Sequence, residues 1–212
     1  SVPKYTLPIS VFDDDGIQSG LVEKVLSRDE LSDIINSANQ LISIYRKGFS
    51  PERKGHVDDL EQTHGVWAHA AGVDIRDRDA VRSEVELMLG AKVFPDIVVN
   101  NAGLAAGMEP FQESDPDDWD AMIDTNLKGL LNVTRFLLPS MIERGGGHVI
   151  MVGSTAGHLT YPSGHVYNAT KFAVRAITEA INLDVVGTPI RISAVDPGYV
   201  ETEFSLVRYK GD

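Results

Sequence analysis

Ser154-Thr155-Ala156-Gly157-His158-Leu159-Thr160-Tyr161-Pro162-Ser163-Gly164-His165-Val166-Tyr167-Asn168-Ala169-Thr170-Lys171 is the stretch from which the rest of the chain can be read. An apolar run at 148–152 precedes it and ends in Gly153-Ser154. Tyr167 and Lys171 open a helical pattern that continues through Phe172, Val174, Ile177 and Ile181. Residues four apart on a helix share one face and have neighbouring side chains. The stretch therefore reads as strand, loop and helix, with a hydroxyl at the strand end and a phenol beside an ammonium at the helix start. A nearby ammonium favours the phenolate, which brings a phenol toward acid–base work. The serine hydroxyl adds a hydrogen-bond donor for a substrate oxygen.

Tyr-x-x-x-Lys by itself also describes an ordinary surface pair, so its neighbours in the sequence decide. Asn100-Asn101-Ala102-Gly103 follows the apolar run at 97–99. Asn126 lies between that turn and the serine, in Asp124-Thr125-Asn126-Leu127-Lys128-Gly129. Asp196-Pro197-Gly198 follows a strand pattern at 190–195. This ordered set resembles the short-chain dehydrogenase/reductase family from about residue 66 onward. The wording at 100–110 and 197–211 is most similar to the NADP-dependent 3-hydroxy acid dehydrogenases of that family, which act on serine, allo-threonine and related short hydroxy acids.

Periodicity agrees with the fold this resemblance implies. Helices are expected at 78–89, 115–140 and 167–186, and strands at 96–100, 148–152 and 190–195. Ser114, Asp115 and Pro116 mark a helix start. A small-residue strand is expected at 66–73. Alternation of short apolar strands with helices predicts a Rossmann-like α/β fold, a doubly wound parallel sheet in three layers with helices on both faces. Ligands in such folds sit beyond the carboxyl ends of the strands, and each motif above falls there. A strand is also expected at 9–12, helical spacing at 21–41 as one helix or as two that meet at a cap near Ser27, and a strand at 41–45. The chain is read as a single domain over 1–212, with a divergent portion at 1–65 and a family-like portion at 66–212. The sequence stops shortly after the Pro-Gly loop, where family members continue with a further helix and strand, so a truncated C-terminus is expected.

The resemblance implies specific roles. Tyr167 is the general acid/base, Ser154 fixes the substrate oxygen, and Lys171 tunes Tyr167 and holds the nicotinamide ribose. Asn126 supports a water linking Lys171 to solvent. Asp74 and Ile75 meet the adenine, and Asn101, Ala102 and Gly103 line the cofactor. Pro197, Gly198, Val200 and Thr202 shape the nicotinamide loop. Arg46, with its planar fork, is placed to meet the 2′-phosphate and so selects NADP over NAD. The helices around 119–138 and from Tyr167 imply a homodimer or homotetramer.

The phosphate loop is where the sequence departs from the family. Gly16-Ile17-Gln18-Ser19-Gly20-Leu21-Val22 has two of three expected glycines, with Val22 at the third and Asp13–Asp15 in front. Carboxylates beside a pyrophosphate repel it. Either Gly16 and Gly20 belong to a worn phosphate loop, or the first ~65 residues are foreign to the family. The departure keeps a second reading open, that of a catalytically silent relative acting as an oligomer subunit or small-molecule binding module.

Composition bounds these readings. The chain has 212 residues, a formal net charge of −12, 42% hydrophobic and 24% charged residues. The negative charge argues against nucleic acid and anionic membranes as partners. No cysteine is present, which excludes disulfides and thiolate chemistry and fits the cytoplasm. No apolar run reaches the ~20 residues that span a bilayer. His56, His64 and His69 with Asp58 and Asp59 match no standard metal spacing, so no metal is expected. Ser154 lies in Gly-Ser-Thr-Ala-Gly, not in the Gly-x-Ser-x-Gly of a hydrolase elbow.

Overall fold

The computed structural model describes the backbone of residues 5–12 and 18–26, and residues 71–199 in full. Its centre is a parallel sheet of β3 (Ile97–Asn100), β4 (Gly147–Val152) and β5 (Ile190–Val195), in that spatial order. The connections carry α1 (Arg78–Gly90) ahead of β3, α2 (Pro116–Ile123) and α3 (Leu130–Glu143) between β3 and β4, and α4 (His165–Asp184) between β4 and β5. A six-residue π-helical stretch, Asp124–Gly129, joins α2 to α3.

Local chemistry sets the helix starts. The Asp77 side chain accepts from the amides of Asp79 and Ala80 and so caps α1. Asp115 accepts from the Asp117 amide, and Pro116 takes the first turn of α2, where a missing N–H costs nothing. The second of these is the start the sequence announces at Ser114-Asp115-Pro116.

Alternate strand residues build the core. Val98, Val149, Met151, Ile190 and Ile192 are buried with Val81 and Val85 of α1, Leu130, Leu137 and Met141 of α3, and Val174 of α4. Among the described residues, the helices thus pack on one face of the sheet. The other face carries Ile97 and Val99, both exposed. A parallel sheet normally buries both faces; the described residues supply the sheet and one of the two helical layers.

Met141 is fully buried, and its terminal methyl lies where a side chain on Gly147 would begin. Met141→Ala leaves a cavity in this close-packed region and is expected to cost about 2–5 kcal/mol, read as a lower denaturant midpoint with an unchanged slope.

Two expectations are corrected. Residues 21–26 are not the start of a helix. They belong to β2 (Gln18–Leu26), which pairs antiparallel with β1 (Tyr5–Phe12), so that Gly20 lies opposite Val11. Leu21, Val22, Val25 and Leu26 suit either period over so short a run. Asp15-Gly16 between two apolar runs is itself a hairpin signal. Gly20 is therefore not at a helix N-terminus, the geometry a phosphate loop needs. Residues 71–73 carry no strand, although 66–73 was expected to be one. Gly16, Arg46, the expected elements at 27–45, the histidines at 56, 64 and 69, Val200 and Thr202 lie outside the described residues.

Candidate active site

The site lies at the carboxyl ends of β3, β4 and β5. Lys171 is on the inward face of α4, one turn after Tyr167, and both are buried. The lysine ammonium donates to the Val152 carbonyl at the end of β4 (2.9 Å) and lies 5.9 Å from the centre of the Tyr167 ring. Burial lowers the Lys171 pKa from an ordinary 10.5 to about 8, and the Asp196 carboxylate partly opposes that shift.

Ser154 begins the short 3-10 turn Thr155–Gly157, which packs on α4. Its Oγ accepts from the Ala156 amide (3.1 Å). That bond occupies a lone pair and leaves the hydroxyl hydrogen to donate elsewhere. A Cβ on Gly157 would sit 2.8 Å from the Lys171 carbonyl, so the turn and α4 touch backbone to side-chain position. Ala156 and Tyr167 share a buried cluster with Ala105 and Met122.

Asn126 lies in the π-helical stretch. Its Oδ1 accepts from the Leu104 amide (2.8 Å), and its Nδ2 donates to the Leu104 carbonyl (2.9 Å) and to Thr170 Oγ1 (3.0 Å). Thr170 in turn donates to the Tyr167 carbonyl (2.8 Å). One amide side chain thereby ties the loop after β3 to α4. A π stretch inside a helix often marks a functional position; here it delivers Asn126. A Cβ on Gly103 would lie 3.2 Å from Asn126 Oδ1 and 3.8 Å from Lys171 Nζ, so this glycine keeps the approach to both groups open.

The structure thus gathers Tyr167, Lys171, Asn126 and Gly103, and sets Ser154 at the head of the turn that packs on α4. Ala102 packs against the core, and Asn101 closes the turn with its amide on the Val99 carbonyl (3.1 Å). Pro197 accepts from the Thr155 amide (3.0 Å), which sets the β5 turn beside the serine, with Gly198 next in chain. Ile75 is buried in the core. Asp74 lies farther out, paired with Arg76 at 2.6 Å. The Arg76 hydrogen bonds hold its carboxyl below the usual carboxylate range.

Sequence reasoning assigned no role to Thr170, Asn168, His158 or Asp196. Asn168 donates to the carbonyls of Ala156 and Leu159 (2.8 Å each) and so holds the loop after Ser154 against α4. Asp196 stood in the quoted Asp-Pro-Gly, and a carboxylate at a strand end among apolar residues was the available signal. No group of three or more residues able to hold a metal occurs among the described residues.

A parallel sheet whose carboxyl edge carries this serine, tyrosine and lysine is the arrangement the sequence resemblance implies, and the comparisons agree on the family. The short chain dehydrogenase family model matches residues 48–210, and the chain belongs to that family. It is 44% identical over 161 residues to the NADP-dependent 3-hydroxy acid dehydrogenase YdfG of Escherichia coli K12, covering 76% of this chain and 65% of that protein. It is 45% identical over 153 residues to sulfoacetaldehyde reductase 2 of Chromohalobacter salexigens, covering 72% of this chain and 61% of the relative. Its fold matches the closed form of serine dehydrogenase complexed with NADP+ at a TM-score of 0.70 and 44% identity, over 76% of this chain and 65% of that one. The chain therefore spans about 65% of the length of the first of these relatives.

Proposed function

We propose that the protein is an oxidoreductase that transfers a hydride between NADP(H) and a small hydroxy acid, alcohol or carbonyl. The observation that carries this is the buried Lys171 ammonium, fixed on the Val152 carbonyl beneath Gly103 and beside the Tyr167 ring. The relatives named above carry dehydrogenase or reductase names, which favours this reading over a silent binding module.

The residues present fit a nicotinamide dinucleotide. Asn101 Nδ2 is shut off from solvent with no hydrogen-bond partner among the described residues, as expected of a donor reserved for a ligand. Gly103 leaves the space above Asn126 and Lys171 free of side chain. We assign Asn101, Ala102, Gly103, Tyr167, Lys171, Pro197 and Gly198 to the nicotinamide half, with Val200 and Thr202 in the same loop. Asp74 and Ile75 go to the adenine end, and Arg46 to the 2′-phosphate. Gly16 is assigned to the cofactor on the family resemblance alone, and Gly20, paired opposite Val11 in β2, is withdrawn. NADP, when bound, accepts or supplies the hydride.

The chain's own residues handle the proton. In the oxidative direction Tyr167 accepts the substrate hydroxyl proton on its phenolic oxygen, and in reduction it returns that proton. Ser154 donates its hydroxyl hydrogen to the substrate oxygen and steadies the charge that develops there. Lys171 places positive charge beside the phenol, and Asn126 fixes the loop and helix between which these groups act. The exposed apolar residues Leu131 and Ile142 on α3, and Phe172 and Leu183 on α4, support a homodimer or homotetramer. We assign the whole of 1–212 to one domain, with 66–212 as its family-like portion, and place the protein in the cytoplasm.

Titration with NADPH tests the cofactor assignment. Binding is expected to raise the unfolding temperature, with about 2.7 kcal/mol of stabilisation at a hundredfold excess over Kd. No shift at millimolar NADPH would contradict it.

A further inference from the structure

Behind Ser154 lies a buried carboxylate that the proton chemistry above does not use. Asp196 follows β5 and is only 8% exposed. Its Oδ1 accepts from the Ser154 amide (3.1 Å), and its Oδ2 lies 2.8 Å from His158 Nε2. The carboxylate occupies the space a Cβ on Gly153 would take, so a glycine at 153 is what lets it reach the serine. Two main-chain bonds flank it, Gly153 to the Val195 carbonyl (2.8 Å) and Thr155 to the Pro197 carbonyl (3.0 Å).

The other charged groups around His158 complete the chain of contacts. Arg175 Nη1 lies 3.3 Å from His158 Nδ1, and Arg175 Nε donates to Glu179 (3.0 Å). Arginine has only donors, so Nδ1 is the acceptor and the imidazole proton sits on Nε2. In this tautomer His158 receives a hydrogen bond from α4 and donates one to Asp196. The sequence of contacts runs from Glu179 through Arg175, His158 and Asp196 to the backbone of Ser154. Lys171 also faces this carboxylate across the site.

We propose that Asp196, oriented by His158, is a positioning residue that fixes the direction of the Ser154 hydroxyl toward the substrate oxygen. This deepens the oxidoreductase reading and rests on it. Ser154 is held at two points before any ligand arrives: its amide by Asp196, its Oγ by the Ala156 amide. A donor aimed in advance stabilises developing charge without reorganisation. A displacement of ~1 Å at such a donor can cost about a hundredfold in rate.

The test uses His158→Phe, which removes the donor to Asp196, and His158→Gln, whose amide N–H can replace it. His158→Phe is expected to lower kcat about tenfold or more, on the scale set by misplacing such a group, with the KM for NADP+ unchanged. His158→Gln should recover most of that loss. In a Ser154→Ala background, His158→Phe should have no further effect on kcat. Amide exchange at residues 153–157 of the full chain without ligand should accelerate in His158→Phe and return toward wild type in His158→Gln. Exchange unchanged in His158→Phe, or a kcat loss of the same size with and without the Ser154 hydroxyl, would overturn the proposal. The exchange arm needs no turnover, so an inactive wild-type chain would count against the oxidoreductase reading alone.

Discussion

Tyr167→Phe is expected to lower kcat by about 10²- to 10⁴-fold, the range general acid–base groups contribute, and to leave the fold intact. The substitution removes one oxygen and keeps the ring. That ring is buried against Ala105, Met122 and Ala156 and supplies the packing of the cluster. Stability should therefore change little, and NADP(H) affinity should fall less than kcat. Steady-state turnover with NADP+ and a short hydroxy acid, set beside a melting curve, separates the two effects. A variant that unfolds would show that the tyrosine is chiefly a core residue. A variant that turns over at the wild-type rate would remove it from the chemistry.

Lys171→Met should abolish most turnover and also change how stability depends on pH. The buried ammonium has its pKa lowered to about 8, mainly by burial. The unfolded chain therefore holds the proton more tightly, and between about pH 8 and 10.5 it binds more protons than the folded one. Stability from this group rises with pH across that window, because the penalty for burying the charge is fully present below pH 8 and disappears above 10.5. A depression of this size amounts to about 3 kcal/mol. Methionine keeps the apolar stem without the charge but leaves the Val152 carbonyl without its donor, at a cost of about 1–3 kcal/mol. The two effects nearly cancel at neutral pH. The difference in unfolding free energy between wild type and Lys171→Met, followed from pH 7 to 10.5 by urea titration, should shift by about 3 kcal/mol in favour of the wild type. A pH-independent difference would mean that the lysine is not held as a buried cation. Turnover should drop about 10²- to 10⁴-fold, because the charge beside the phenol is gone.

The parts of the site that the sequence disclosed are those whose chemistry resides in side chains at fixed spacing. Tyr167 and Lys171 advertise themselves four apart at the start of a periodic helix, and Asp115-Pro116 announces a helix start. The contacts that complete the site run through the backbone and have no side-chain signature. The Val152 carbonyl holds Lys171, the Leu104 amide and carbonyl hold Asn126, and the Ser154 amide meets Asp196. The π register that presents Asn126 is a property of main-chain hydrogen bonding, so a helical pattern at 115–140 could not show it. Asp196 reads as a turn residue until Gly153, forty-three positions earlier, is seen to leave room for it. The N-terminal misreading has a different cause. Leu21, Val22, Val25 and Leu26 fit a helix or a strand equally, and the pairing partner at 5–12 decides between them.

Mixing the full chain with NADP+ and a panel of serine, allo-threonine and 3-hydroxypropanoate, and following NADPH absorbance in a single turnover, tests the central claim most directly. Stoichiometric NADPH formation is expected in the wild type with at least one of these acids, and its loss in Tyr167→Phe. NADPH formed equally fast without Tyr167, or none formed by a chain shown to bind NADP+, would contradict it.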